Sequence, residues 1–424
     1  MKQLAASIAI ASALVAVAAV AAPAAPASPE AVAAAALRAA PVWDGHNDVP
    51  EQLRVRRNDM LAGFDFRDTS NTGDAAKKFK PMQTDLTRLR RGQVGAQFWS
   101  VYVDAGLSDT QAVQATIEQI DLTRRLIAKY PDDMQLATTS AEVVAAMRAG
   151  KIASLMGMEG GHSIGNSLAV LRQQYALGAR YMTLAHFKNN AWADSATDAP
   201  VHGGLTDFGK DVVREMQRIG MLVDLSHVAQ STMMDALDVA KAPVMFSHSG
   251  SQAINGHARN VSDAMLDRIK PNGGIVMVNT YATYVGPALR EWIARQAGQK
   301  AYFEAFNRGD PAAAAAALAA WTTANPAPPA TIAEVADHID HIVRRIGVDH
   351  VGIGGDFDGI ELTTQGMDDV STYPALFVEM ARRGYSQADL QKIASGNMMR
   401  VLRGAEAYAA AHRGDPPIEN PTTF

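Results

Sequence analysis

The stretch Val42-Trp43-Asp44-Gly45-His46-Asn47-Asp48 decides between two parallel α/β folds. It begins as an apolar, β-prone run and ends in side chains that can bind a cation. A doubly wound open sheet usually carries a glycine-rich phosphate loop after its first strand. A His-x-Asp cluster stands in that place here, and the later Gly354-Gly355 pair is too short for a dinucleotide fingerprint. The stretch therefore favours a closed barrel over the open sheet.

Seven further β-prone runs follow, and helix-like stretches separate most of them. The eight runs are Val42–His46, Val94–Val103, Ile152–Met158, Ala179–His186, Met221–His227, Pro243–His248, Gly274–Thr280 and His350–Asp356. Alternating strands and helices predict a parallel sheet with crossover helices. Eight such units in about 315 residues predict an α/β fold of the (β/α)8 TIM-type barrel class.

Amphipathic stretches and their end signals predict the helices between the runs. The stretches are Thr110–Tyr130, Ser140–Ala149, Ser167–Leu177, Phe208–Ile219, Gln230–Val239 and Thr331–Ile346. Ser140, with Glu142 close behind, and Thr206 are typical helix starts. Gly178 and Gly220 stand where helices should end.

The two ends of the chain differ in composition from the barrel. Lys2, the uncharged apolar run after it and the small residues Ala19-Val20-Ala21 predict a secretory signal peptide over 1–22 and export, to the periplasm. An uncleaved membrane anchor is the alternative, since the run approaches spanning length. We expect an Ala/Pro-rich leader at 23–40, a catalytic domain at 41–410 with an insertion at about 285–330 before the last helix, and a tail at 411–424. The tail is not hydrophobic, so no membrane anchor is expected there.

Composition excludes several classes of function. Hydrophobic residues make up 48% of the 424-residue chain and charged residues 20%, which indicates a folded core. Lys plus Arg number 39 and Asp plus Glu 44, so no basic excess favours a nucleic-acid partner. The chain has no cysteine, which excludes disulfides, thiolate ligands and cysteine nucleophiles. Any metal must therefore be held by nitrogen and oxygen.

Side chains that can bind metals stand at the predicted carboxyl ends of the strands, where barrels of this type place their active sites. These residues are His46 and Asp48 after the first strand, then Glu159, His186, His227, His248 and Asp356. Four of the chain's 11 histidines thus fall on one predicted rim. Their joint placement predicts a metal site.

The spacing of these residues suggests how two ions could share the site. His46 and Asp48 are two residues apart, so on an extended segment they share one face and could bind one ion. His227 and His248 close consecutive strands and could bind a second ion, with Glu159 as a bridge. Imidazole and carboxylate ligands suit Zn²⁺. Two such ions can activate a bridging water and stabilise a developing oxyanion.

Each residue taken singly also has a simpler interpretation. Either His227 or His248 could be a hydrogen-bonded core histidine, Glu159 could cap a turn, and Asp356 could bind only backbone. A carboxylated Lys188 is the alternative bridge, but it lies beyond its strand, so Glu159 is preferred.

Some histidines fall away from the strand ends. His338 and His341 lie on a predicted helix, where we expect surface or packing roles. His162 follows two glycines and is expected to support the loop after Glu159.

The sequence resembles the membrane (renal-type) dipeptidase family of zinc peptidases from about Val42 to Ala405. Many ordered motifs carry the resemblance. They are Asp44-Gly45-His46-Asn47-Asp48, Leu89-Arg90-Arg91-Gly92, Gly95-Ala96-Gln97-Phe98-Trp99-Ser100, Glu159-Gly160-Gly161-His162, Leu184-Ala185-His186, Asn189-Asn190-Ala191-Trp192-Ala193-Asp194, Leu205-Thr206-Asp207-Phe208-Gly209, Asp224-Leu225-Ser226-His227-Val228, Phe246-Ser247-His248-Ser249, Arg259-Asn260-Val261 and Gly354-Gly355-Asp356-Phe357-Asp358-Gly359.

The resemblance implies two Zn²⁺ per chain and a metal-bridging hydroxide that hydrolyses dipeptides with a free C-terminal carboxylate. His46 and Asp48 would bind one zinc. His227 and His248 would bind the other, and Glu159 would bridge the two ions together with the water or hydroxide.

The resemblance also implies three roles around the substrate. His186 would face the scissile carbonyl or its oxyanion. Arg259, to which pattern alone gives no priority, would bind the substrate's C-terminal carboxylate. Asp356 would handle the proton of the bridging water. A homodimer is suggested by the resemblance alone.

The sequence also departs from the animal members, which carry a lipid anchor and contain cysteines. Two alternative functions stay open. One is a related binuclear amidohydrolase acting on N-acyl amino acids, β-lactams or cyclic amides. The other is a periplasmic peptide-binding protein that uses the metals for capture only. It would need the proton-handling groups to be absent, and the presence of Asp356 and His186 argues against it.

Overall fold

The computed structural model of the chain describes residues 27–419. The signal peptide predicted over 1–22 lies outside the described residues, as do the start of the leader and the last five residues of the tail. Among residues 27–419, no helix is both long and apolar enough to cross a bilayer.

One parallel sheet of nine strands closes into a barrel. The strands are β1 (Val42–Asn47), β2 (Val94–Ser100), β3 (Met134–Leu136), β4 (Ile152–Glu159), β5 (Ala179–Thr183), β6 (Leu222–Asp224), β7 (Met245–Phe246), β8 (Ile275–Val278) and β9 (Val351–Ile353). Neighbours follow the order β2-β1-β9-β8-β7-β6-β5-β4, and β2 also pairs with β4. This pairing closes a ring of eight strands, so the predicted (β/α)8 TIM-type barrel is confirmed.

The ninth strand, β3, was not among the eight predicted runs. It has three residues and pairs only with the start of β4. Such a short segment shows no alternation from which a strand could be predicted. Each predicted run contains an observed strand, but β6, β7 and β9 have three residues or fewer. The polar residues that end those runs lie just beyond the strands, in rim loops.

Helices surround the barrel and connect most of its strands. In chain order they are α1 (Pro29–Ala39), α2 (Val49–Arg57), α3 (Leu86–Arg91), α4 (Asp109–Lys129), α5 (Ser140–Arg148), α6 (Leu168–Ala176), α7 (Asp207–Ile219), α8 (Gln230–Val239), α9 (Asp263–Asn272), α10 (Ala282–Val285), α11 (Pro287–Phe306), α12 (Pro311–Ala324), α13 (Ile332–Ile346), α14 (Tyr373–Arg382), α15 (Gln387–Gln391) and α16 (Asn397–Ala411).

Local hydrogen bonds explain two helix starts. Thr206 caps α7 by accepting from the backbone N–H of Gly209. Helix α5 is capped by Thr139, and Glu142 bonds back to the N–H of Thr139. Ser140 is therefore the first helical residue and not the predicted cap, because the hydroxyl one residue earlier completes the capping box.

Residues 29–39 belong to the packed fold. Helix α1 buries Ala33, Ala36 and Leu37, and the Ser28 side chain caps its start. A loose leader, as the Ala/Pro-rich composition of 23–40 suggests, does not describe these residues, because the alanines form an apolar helix face.

Two long segments lie outside the strand–helix repeat, one over the barrel mouth and one on the outside of the barrel. In the segment 49–93, the backbone N–H of Gln83 donates to Asp358 and Lys80 Nζ donates to the carbonyl of Glu361, so this segment covers the mouth. The insertion contains α11 and α12, which pair antiparallel through Trp292 and Trp321, with ring centroids 6.1 Å apart. It precedes α13, and α14, α15 and α16 follow the last strand.

The barrel interior below the mouth is filled by side chains. Residues at alternate strand positions point inward, and α16 closes the bottom with Met398, Val401 and Leu402. The inward-facing strand residues of this cluster include Trp43, Ala96, Phe98, Ala153, Leu155, Tyr181, Leu222, Met245, Ile275 and Met277. Because the lower interior is packed, a ligand can approach the interior only from the carboxyl rim.

Candidate metal centre

The residues predicted to form the site meet at the carboxyl rim of the barrel. His46 lies within β1, and Glu159 is the last residue of β4. His186, His227, His248 and Asp356 follow β5, β6, β7 and β9. All of these side chains are at least nine-tenths buried.

The first group comprises His46, Asp48 and Glu159. His46 Nε2 is 3.2 Å from Asp48 Oδ2 and 3.4 Å from Glu159 Oε2. Asp48 Oδ1 is buried without a hydrogen-bond partner. Three donor atoms of the kind that Zn²⁺ prefers thus converge on one point.

The second group comprises Glu159, His227 and His248. Glu159 Oε1 is 3.0 Å from His227 Nε2 and 3.4 Å from His248 Nε2. The two imidazole Nε2 atoms are 2.8 Å apart. Glu159 therefore directs one oxygen at each group, which is the arrangement expected of a bridging carboxylate.

A third group links the two. His46, His248 and Asp356 offer one donor atom each, and these atoms lie within 4.8 Å of one another. The donors are imidazole nitrogens and carboxylate oxygens throughout, buried together with few other partners. The chemistry of this set fits two divalent transition-metal ions.

The electrostatics of the site centre on Glu159. Burial favours a raised pKa for the Glu159 carboxyl, but His46, His186 and a hydrogen bond from His227 hold its pKa well below the ordinary value. Burial also lowers the pKa of His227 and His248 well below the usual range. Glu159 is thus ionised, while the imidazoles of His227 and His248 are neutral, as metal binding requires.

Hydrogen bonds from below orient two of the imidazoles. Tyr181 Oη lies 2.8 Å from His46 Nδ1. Gly157 makes room for the Tyr181 ring, since a Cβ at that position would lie 1.9 Å from it. If Nε2 is to bind a metal, Nδ1 must carry the proton and donate it to Tyr181.

His248 is oriented by a different chain of hydrogen bonds. Its Nδ1 lies 2.8 Å from Ser247 Oγ, which donates to Asp224 Oδ2 over 2.7 Å. Asp224 also accepts from Thr183 Oγ1 and from the backbone N–H of Ser247. This buried carboxylate therefore joins β5, β6 and the loop after β7 directly beneath His248.

Two site residues adopt a backbone conformation that side chains rarely take. His227 has φ 68° and Asp356 has φ 63°. A non-glycine residue in this left-handed region costs about 1–3 kcal/mol and persists only where its surroundings enforce it. Such strain is common at functional sites and agrees with the placement of both residues on the rim.

His186 stands beside the cluster. Its Nε2 is 3.5 Å from Glu159 Oε1. The imidazole packs against Tyr102 and Phe187, with ring centroids 4.7 and 4.0 Å away. Burial lowers the pKa of His186 to about 4. A neutral His186 can donate one hydrogen bond to an oxygen in the cavity.

Arg259 is a buried cation at the edge of the site. It is 1% exposed, its Nη2 donates to the carbonyl of His248, and its Nη1 lies 3.4 Å from Ser249 Oγ. Its Nε has no hydrogen-bond partner. Within residues 27–419 no carboxylate pairs with it, so the guanidinium can bind an anionic ligand.

Burial raises the pKa of Asp356 well above its ordinary value. The nearby carboxylates of Asp48 and Glu159 act in the same direction, while His46 opposes them. Asp356 therefore keeps its proton at a higher pH than an ordinary aspartate does.

A cavity of about 220 Å³ opens onto these groups. Sequence patterns had singled out its lining residues Asp48, Glu159, His186, His227 and Asp356. They had missed Glu51, Tyr102, Phe187, Tyr281, Tyr284, Gly359 and Glu361, which also line it. Tyr102 lies in the predicted run Val94–Val103 but beyond the end of β2, and the other missed residues lie in helices and in loops that no strand pattern marks.

The remaining candidates lie elsewhere. Lys188 is exposed, and its side chain reaches toward Gly106 rather than the cluster. His162 Nε2 is 3.1 Å from the carbonyl of Val103. His338 is buried in helix packing, and His341 pairs with Asp263.

Comparison with known proteins finds a matching family and similar dipeptidases. A family model described as membrane dipeptidase (peptidase family M19) matches residues 30–415. Dipeptidase tcpJ of Claviceps purpurea is 40% identical over 389 residues, covering 88% of this chain and 79% of that protein. Dipeptidase 3 of Macaca fascicularis is 39% identical over 392 residues, covering 91% and 70%.

Solved structures share the fold. The crystal structure of the probable dipeptidase PvdM from Pseudomonas aeruginosa has a TM-score of 0.74 at 24% identity, covering 90% of this chain and 99% of that one. A metallo peptidase from Rhodobacter sphaeroides, liganded with a phosphinate mimic of the dipeptide L-Ala-D-Ala, has a TM-score of 0.68 at 22% identity, covering 86% and 99%.

Proposed function

Since the chain belongs to the membrane dipeptidase family, peptidase family M19, and is a dipeptidase of that metallopeptidase family, we propose that it uses two zinc ions to hydrolyse dipeptides with a free C-terminal carboxylate. One observation carries the proposal. The two oxygens of Glu159 face two separate groups of buried ligands, with His46 on one side and His227 and His248 on the other.

These distances support a set of ligand roles. His46 and Asp48 would hold one ion, and His227 and His248 the other, with Glu159 shared between them. Bound there, the ions would lower the pKa of a shared water and stabilise the negative charge that develops on the carbonyl oxygen.

Arg259 would fix the direction in which a dipeptide binds. Its buried guanidinium lacks a carboxylate partner, and a substrate's terminal carboxylate could supply one. Its charge acts on the pKa of His186 and His227, which places it within electrostatic reach of the reacting groups. A carboxylate bound at Arg259 would leave the preceding peptide bond near Glu159.

His186 and Asp356 would act on the reacting atoms. His186 would donate a hydrogen bond to the carbonyl oxygen as it gains negative charge. Asp356 would accept a proton from the attacking water and deliver it to the leaving amine, since its raised pKa suits a group that must do both.

The test is hydrolysis of a panel of small L,L- and L,D-dipeptides by the purified protein. Activity should disappear on chelation and return with zinc. N-acetyl amino acids and a β-lactam serve as comparison substrates. Turnover of these in place of dipeptides would contradict the proposed substrate class, and dipeptide turnover that survives complete metal removal would contradict the proposed zinc chemistry.

We further propose that the chain is exported, with 1–22 as a cleaved signal peptide and 41–410 as the catalytic domain. Ala19-Val20-Ala21 supports cleavage near that point. N-terminal sequencing of protein recovered from the exported fraction of its host would give a mature start shortly after residue 21. A start at Met1 would contradict cleavage.

A further inference from the structure

We propose that Glu51 and Glu361 form an acidic wall of the active-site cavity that selects dipeptides whose first residue carries a cationic side chain, such as lysine or arginine. This inference rests on the proposed function, because it needs a dipeptide whose carboxylate lies at Arg259.

The two glutamates stand where two cavities meet. Both line the cavity of about 220 Å³ above the metal centre. Both also line a neighbouring cavity of about 310 Å³, and Gly359 is the third residue common to the two. A long side chain that leaves the metal centre along this path must pass the two carboxylates.

A wall of aromatic rings separates Glu361 from Arg259. The Arg259 guanidinium lies 5.4 Å from the Tyr284 ring centroid, and the Tyr284 and Tyr281 rings are 4.7 Å apart. Tyr281 Oη then donates to Glu361 Oε2 over 3.2 Å. Arg259 does not itself line the cavity, but it lies on one side of the tyrosine pair and Glu361 on the other. Opposite charges across the pair match a substrate with opposite charges at its two ends.

Glu51 has no counterion of its own. It lies in the first turn of α2, half-buried, and within residues 27–419 it has no hydrogen-bond or salt-bridge partner. Burial, together with the charges of Asp48 and Glu159, raises the pKa of Glu51 to about 8. No lysine or arginine is among the described residues that line the cavity of about 220 Å³, whereas Arg56, Lys78 and Lys80 line the neighbouring one, so the acidic surface ends where the two cavities meet. A cation bound beside Glu51 would relieve this repulsion and favour the ionised carboxylate.

Neither glutamate belongs to the proposed metal centre. The groups that converge for metal binding include Asp48, Glu159 and Asp356, but neither Glu51 nor Glu361. Two carboxyl groups on the cavity wall are thus free to pair with a substrate cation.

A side chain suits this wall better than the substrate's α-amino group. In a dipeptide, the α-amino nitrogen is two bonds from the scissile carbonyl carbon, so it must lie beside the metal centre and Asp356. The four-carbon stem of lysine can carry its charge farther, toward the junction of the two cavities. A buried, unpaired cation at Arg259 supports the same orientation independently, because it fixes the carboxylate end of the substrate.

The experiment compares Lys-Ala with norleucyl-Ala, whose first side chain has a similar shape but no charge, at pH 8.5, where lysine is still protonated. The native protein should show a kcat/KM about tenfold higher for Lys-Ala. Glu51→Gln should remove most of that preference. Glu361→Gln should reduce the preference about threefold, because Glu361 is exposed. The double variant should show no preference. Glu304→Gln, on α11, is the matched control and should retain the preference.

The neutral substrate separates the outcomes. Unchanged kcat/KM for norleucyl-Ala shows that a variant is folded and active. Equal rates for the two substrates in the native protein, or a preference that survives in the double variant, would overturn the acidic wall. Failure to hydrolyse either substrate would instead contradict the proposed function, and this inference with it.

Discussion

One half of the proposed metal centre would take its two terminal ligands from a single strand end, whereas the other half would take them from two. His46 lies near the end of β1 and Asp48 directly after it, and their spacing alone brings them to a common point. His227 and His248 follow β6 and β7, and their Nε2 atoms come within 2.8 Å only because the two loops are held together.

The supporting contacts differ accordingly. In the β1 half, the His46 ring is held by one hydrogen bond, to Tyr181, while the backbone N–H of His46 donates to buried Asp44, which also accepts from Gly355 and Tyr373. The β6–β7 half, defined by His227 and His248, rests on Asp224, which receives hydrogen bonds from neighbouring strands and loops. We infer that a ligand pair assembled from separate strands depends more on its supporting residues than a pair placed by sequence spacing.

The largest effect should come from the residue that both halves share. Glu159→Gln removes the negative charge and one of two equivalent oxygens from the bridge. We expect zinc content to fall below two ions per chain and kcat for dipeptides to fall about a thousandfold. Metal analysis and kinetics on one sample provide the measurement, with Glu304→Gln as control. Two tightly bound ions with near-normal turnover would show that Glu159 is not the bridge.

A smaller effect, confined to one half, should follow Asp224→Asn. This change weakens the support of Ser247 and His248 and leaves His46 untouched. One of the two zinc affinities should fall by about 10- to 100-fold, as measured by competition with a chromogenic chelator. Equal weakening of both ions, or of neither, would contradict the division of the site into two halves.

Tyr181→Phe should give the corresponding but weaker effect on the other half. The ring remains packed in the barrel interior, and only the hydroxyl that faces His46 Nδ1 is lost. We expect the affinity of the other ion to fall by about three- to tenfold. A larger loss of zinc affinity in Tyr181→Phe than in Asp224→Asn would contradict the inference that the β6–β7 half depends more on its supporting residues.

The smallest effect on activity should come from a histidine that is buried without being part of the centre. His338 is fully buried, but its Nδ1 accepts from the N–H of Ser251 and its Nε2 lies 3.1 Å from the carbonyl of Val285. Burial lowers the pKa of His338 to about 4. Replacing it with asparagine should leave kcat and zinc content at neutral pH nearly unchanged.

The same residue should instead appear in the pH dependence of stability. Because the folded state favours neutral His338, the unfolded state takes up its proton first as pH falls below about 6.5. The stability that His338 contributes is therefore present above pH 6.5 and is lost between pH 6.5 and 4, by about 3 kcal/mol. Chemical unfolding of metal-free protein across this range should show the loss in the native chain and a smaller one in His338→Asn.

The sequence allowed the position of the proposed ligands to be predicted better than that of the residues that support them. His46 and Asp48 are two apart in a strand, and His227 and His248 end consecutive β-prone runs, so the barrel rule alone brings them to one rim. Tyr181 and Asp224 lie inside strands, where their side chains are indistinguishable by pattern from other buried residues. Their roles depend on which strands are neighbours and on the exact inward register.

The residues of the proposed acidic wall and Arg259 could not be assigned to the site from strand patterns. Glu51 and Glu361 reach the cavity only after helix α2 and the loop after β9 fold over the mouth. Arg259 lies in a loop before α9, and only the resemblance pointed to it. Residues that reach the site from outside the barrel strands have no periodicity that links them to it.

We propose that two metal ions, held by the two halves of one centre, support dipeptide hydrolysis. The most direct measurement is a titration of zinc into chelated protein, with bound zinc and hydrolysis of L-Ala-L-Ala followed in the same samples. We predict that activity rises with added metal and reaches its plateau at two zinc ions per chain. Full activity without metal, or no activity when two ions are bound, would contradict the account.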